Sequence, residues 1–129
     1  ISYSGLEDLK SYKIGTMRGN KVTEEFDSAS YLKKEPANKL EINIKKLLAG
    51  RIDLFVESRF VAQDMINSNF AQDKDKIEII EPALKTNTLH IGISKKIADA
   101  KKIQQDLDAG LQAIKEDGKM DEILKSHGF

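Results

Sequence analysis

Between Asn38 and Arg59 the apolar positions change from a helical to an extended spacing. Leu40, Ile44, Leu47 and Leu48 fall on one face of a helix, and Lys39, Glu41, Asn43, Lys45 and Lys46 cover the other. Gly50 predicts the stop, as the C′ residue whose left-handed conformation closes a last turn. Ile52, Leu54, Phe55 and Val56 then read as a strand with little polar alternation, the pattern of a strand covered on both faces. Glu57, Ser58 and Arg59 emerge at its carboxyl end, where open α/β sheets place their ligand crevice. The same residues also suit a plain solvated turn.

Elsewhere the pattern predicts alternating elements. Tyr12 to Gly19 reads as a first strand running into a glycine turn, with Asn20 as the cap of a short helix holding Val22 and Phe26 on one side. Tyr31 to Glu35 is a weaker strand, limited by Pro36, before the helix and strand described above. The order is thus β-α-β-α-β. Phe60 to Ser68 predicts a helix with Val61, Met65 and Ile66 inward, followed by a solvated QDKDK run. Ile77, Ile79 and Ile80 suggest a strand stopped by Pro82, and Leu89 to Ser94 another that alternates enough to leave one side less buried. From Asp99 the period is helical: Ile103, Leu107, Leu111 and Ile114 form a stripe, Asp117 and Gly118 break it, and Met120, Ile123 and Leu124 resume it. Strands alternating with helices predict an α/β layer fold with a mainly parallel sheet.

Composition removes some function classes. With 21 basic and 21 acidic residues in 129, and no sustained basic face, nothing attracts nucleic acid. The absence of cysteine excludes disulfides, thiolate metal sites and a cysteine nucleophile. His90 and His127 are too few and too far apart in sequence to suggest zinc. No apolar run approaches the roughly 20 residues of a membrane-spanning helix, and no signal-peptide pattern opens the chain.

Few residues carry candidate chemistry. MRGN, Met17 to Asn20, is a strand-to-helix loop whose backbone N–H groups can receive an anion, although it is neither a P-loop nor a GxGxxG fingerprint. Arg18 either clamps a carboxylate or lays its stem on the surface. Glu57 and Ser58 either bond an ammonium or hydroxyl across the crevice or cap the next helix. Asp53, at the entry of its strand, reads as structural. No acid/base or nucleophile–base pairing is recognisable, so the expectation is a binding protein without catalytic residues, cofactor or metal.

Four segments, EDLKSYKIGTMRGN, LLAGRIDLFVES, HIGISKK and LQAIKEDGKMDEILKSHGF, taken in this order and spacing, resemble the family 3 extracellular solute-binding proteins, receptors of polar amino acid ABC importers. The resemblance spans nearly the whole chain and implies a type II periplasmic-binding-protein fold, in which two three-layer α/β lobes close on a solute. It implies that residues 1–88 are the second lobe, and that residues 89–129 are a hinge strand, Leu89 to Lys96, with helices that return to a first lobe lying before Ile1. By the same resemblance Met17, Arg18, Asn20, Lys21, Glu57 and Ser58 face the solute. Ser58 stands where amino acid receptors of the family usually have an aspartate for the α-ammonium, which puts amino acid specificity in question. The implied partners are a small polar solute, the importer's membrane subunits and the first lobe, in the periplasm. A lobe without its partner would further be expected to dimerise or swap its C-terminal segment. The same module also serves as a sensor domain of membrane signalling receptors and within enzymes such as cyclohexadienyl dehydratases and lytic transglycosylases. Flanking sequence separates these alternatives.

Overall fold

A computed structural model describes residues 1–127, which form two units, 1–86 and the segment from Asn87 onward. In the first, β1 (Lys13–Met17), β2 (Lys33–Ala37) and β3 (Leu54–Phe55) make a parallel sheet of order β2-β1-β3. The helices α1 (Glu24–Ser28), α2 (Leu40–Leu48) and α3 (Arg59–Asn69) follow the three strands in turn. Side chains alternate across the sheet: Leu54 and Val56 pack with Leu6, Leu9, Ile14, Phe26, Ala29 and Leu32, whereas Phe55 packs with Leu40, Ile44 and Ile66. The α1 residue Phe26 thus lies on one face, and the α2 and α3 residues on the other. That is the arrangement produced when β1-α1-β2 and β2-α2-β3 run in opposite directions along a sheet with right-handed crossovers. The α/β class and the parallel sheet flanked by helices are therefore present.

Local chemistry explains where the elements begin and end. Gly50, at φ +65°, donates to Leu47 O (2.9 Å) while Arg51 donates to Lys46 O (2.8 Å), the paired bonds of a Schellman stop, as its position predicted. The cap of α1 is Thr23 and not Asn20: the Thr23 hydroxyl accepts from Phe26 N–H at 3.0 Å, and the Asp27 carboxylate reaches back to Val22 N–H at 3.1 Å. Asn20 instead closes the turn after β1, donating to Met17 O at 3.2 Å. Strand β2 runs through Pro36 rather than stopping before it. Ala37 O accepts from Arg18 N–H, so Ala37 faces β1, and Pro36 turns its missing donor to the free edge, where a strand tolerates it.

Two expectations of burial and two of strands are corrected. Asn43, assigned to the solvated face of α2, is fully buried. Val61, which the spacing predicts inward, is half exposed (50%); Ala62, Ile66 and Phe70, four residues apart, carry the packed side, and Val61 lies about 100° round the helix from Ala62. Ile77 to Ile80 and Leu89 to Ser94 form no strand, since neither has a ladder partner among the described residues; Ile77 packs its side chain against the cluster of Leu40, Ile44 and Ile66.

Gly15 lies at the closest approach of β1 to its neighbours. A Cβ there would stand 2.6 Å from Ile52 Cδ1 and 2.7 Å from Asn43 Oδ1. Gly15→Ala is expected to lower stability by about 1–3 kcal/mol, the usual cost of overpacking, read as a lower denaturant midpoint; an unchanged midpoint would contradict this packing.

The second unit contains α4 (Ala100–Glu116) and α5 (Lys119–Ser126), joined at Asp117 and Gly118 as the broken stripe predicted. It has no buried residue among those described, and Leu89, Ile91, Ile103, Leu107, Leu111 and Ile123 are exposed. No helix among the described residues is long and apolar enough to cross a membrane.

Candidate functional site

In a parallel sheet of order β2-β1-β3 the chain leaves β1 toward one side and comes to β3 on the other. The carboxyl ends of β1 and β3 therefore flank the topological switch point, where open α/β sheets bind ligands. Gly15 is opposite Phe55, and Val56 N–H donates to Gly15 O at 3.0 Å, so β1 runs two residues past the end of β3 and the chain beyond Val56 leaves the sheet beside Met17. The two segments named from sequence, 17–21 and 57–58, are thus brought to one end of the sheet although about 40 residues separate them. Asp53 is at the opposite end. Its carboxylate accepts from Lys13 N–H at 2.7 Å and its N–H donates to Lys13 O at 2.9 Å, which fixes the start of β1 and bears out its structural reading.

The side chains differ in what they offer. Met17 is drawn toward the core, its Sδ 3.9 Å from Asn43 Nδ2, and leaves mainly its backbone to the crevice. Arg18 is exposed but braced: its N–H donates to Ala37 O and its Nε to Asn38 Oδ1, both at 2.9 Å. No carboxylate pairs with it among the described residues, so its terminal nitrogens are open to an anion. Gly19, at φ +82°, turns the loop, and Asn20 and Lys21 are exposed beyond it. Glu57 is half-buried and its Oε1 accepts from Ser58 N–H at 2.8 Å. Ser58 occupies the cap position of α3, yet its hydroxyl makes no cap bond. A capping role therefore does not account for that hydroxyl.

Together these groups present a guanidinium fork, a carboxylate, a hydroxyl and an amide, a set suited to hydrogen-bonding a small polar molecule. Among the described residues no group of three His, Cys, Asp or Glu side chains is placed to hold a metal. A shallow depression of about 350 Å³ lies elsewhere, by the carboxyl end of α2, between Ile42, Lys45, Lys46, Ala49 and Arg51. Two of its cations are already paired, Lys45 with Glu41 at 2.5 Å and Lys46 with Glu35 at 2.9 Å.

Two residues that shape the site escaped the sequence reading. Asn38 left no signal, since its bond to Arg18 depends on β1 and β2 being neighbours. Asn43 did leave one: Leu40, Asn43, Ile44 and Leu47 follow the i, i+3, i+4, i+7 spacing of a single helical face. Compared with family models, with curated proteins and with solved structures, the chain finds no match.

Proposed function

We propose that this chain binds a small polar solute, amino-acid-like in its functional groups, at the carboxyl ends of β1 and β3, and acts as the second lobe of a periplasmic solute-binding protein of the family 3 kind. One observation supports the reading: the strand order joins Met17–Lys21 and Glu57–Ser58 at a switch point, with Arg18 unpaired by any carboxylate among the described residues. On this reading the solute is held and released unchanged. Contacts from a first lobe close the crevice, and the ABC importer's membrane subunits read the closed state. The exposed stripe of Ile103, Leu107 and Leu111 is then the surface on which the first lobe packs.

The test is an NMR titration of the chain with polar amino acids, carried to tens of millimolar. Shifts are expected at residues 17–21 and 57–58, and Arg18→Ala should weaken the response by roughly 10- to 100-fold, as for a lost charged hydrogen bond. Ser58→Ala should weaken it less. Both residues are exposed, so each variant should keep its stability to within about 0.5 kcal/mol. A response that both variants leave intact would remove these residues from the site.

A further inference from the structure

Asn43 is the sole polar side chain fully enclosed among the described residues, at 0% exposure. Its Nδ2 donates to Thr16 O at 3.1 Å and stands 3.9 Å from Met17 Sδ, while its Oδ1 has no hydrogen-bond partner. Gly15 leaves room for that oxygen only by lacking a Cβ. A desolvated, unpaired carbonyl costs a core more than the one neutral bond to Thr16 O returns, so a leucine of similar size in the same space would be no less stable. Stability therefore gives no reason for an amide here. Its single bond does: Thr16 is the last residue before Met17, where the chain leaves the sheet to form the 17–21 loop.

We infer that Asn43 is a positioning residue of the candidate site, its buried amide setting the outgoing end of β1 and hence the direction of the loop that carries Arg18 and Asn20. The inference rests on the solute-binding reading for its purpose. Its physical content is tested without solute. Amide hydrogen exchange is measured in the wild-type chain, in Asn43→Leu and in Asn43→Met. Arg18 N–H, bonded to Ala37 O, and Asn20 N–H, bonded to Met17 O, report on the loop; Asp27 N–H, bonded to Thr23 O, and Phe70 N–H, bonded to Ile66 O, report on the rest.

The expected result is exchange about tenfold faster at Arg18 and Asn20 only, with a melting temperature equal to or above wild type. Faster exchange at all four amides with a lower melting temperature would make Asn43 a structural residue and overturn the inference. So would unchanged exchange at the loop, or failure of both variants to fold. A parallel titration with L-glutamine separates the two readings. No shift at 17–21 in the wild-type chain counts against solute binding, while the exchange pattern still decides the role of Asn43.

Discussion

Phe26→Ala should be the most damaging single truncation in the first unit, lowering its stability by about 3–5 kcal/mol. The ring is fully buried and packs within the cluster of Leu6, Leu9, Ile14, Ala29 and Leu32. It also anchors a helix of only five residues, far below the length at which a helix holds by its own hydrogen bonds. Lys34 adds to the loss. Its Nζ sits 5.4 Å from the ring centroid and donates to Phe26 O at 2.9 Å, so truncation removes the aromatic face beneath a half-buried cation. Domains of this size are stable by about 5–15 kcal/mol in all, so the variant should melt far below wild type or be partly unfolded at 25 °C. Urea unfolding followed by circular dichroism measures the effect. Val61→Ala, at an exposed position of α3, is the control and should shift stability by less than about 0.5 kcal/mol. Equal midpoints for the two variants would disprove the burial described here.

The parts of the fold that depend on local spacing were legible from the chain. The face formed by Leu40 and Ile44, the stop at Gly50, and the break at Asp117 and Gly118 each follow from residues within one or two turns of one another. What depended on neighbours was not. Pro36 limits a strand over Tyr31 to Glu35 by its type, but the position of β2 at the sheet edge lets the strand continue through it. Leu89 to Ser94 alternates as a strand should, yet alternation supplies no partner backbone, and none is paired with it among the described residues. Asn20 and Thr23 are both good caps by type, and geometry chose Thr23 because its hydroxyl reaches Phe26 N–H. The site shows the same division. The 17–21 and 57–58 segments are visible as polar strand exits, whereas their adjacency and the Asn38 brace on Arg18 are products of strand order, and the Asn43 bond to Thr16 is a product of the packing of α2 on β1.

The chain by itself should bind its solute about a thousandfold more weakly than a two-lobed receptor would. In the proposed mechanism each lobe supplies part of the contact set, and closure excludes the water that competes for every hydrogen bond. In this chain Arg18, Asn20, Lys21 and Ser58 are exposed, so a solute resting on them keeps much of its surface wet. Micromolar affinity corresponds to about 8 kcal/mol; half of that, treating the contacts as additive, corresponds to about millimolar. Isothermal calorimetry with polar amino acids should therefore detect no saturable binding at micromolar concentration, and covalent addition of a first lobe should restore it. Added free, that lobe should restore less, since tethering supplies an effective concentration in the millimolar range. Arg18→Ala in the two-lobed protein should then lose roughly 10- to 100-fold of the restored affinity. Micromolar binding by the isolated chain, verified as a monomer by light scattering, would mean that residues 17–21 and 57–58 belong to a complete site. The half-receptor reading would then give way to an autonomous binding domain.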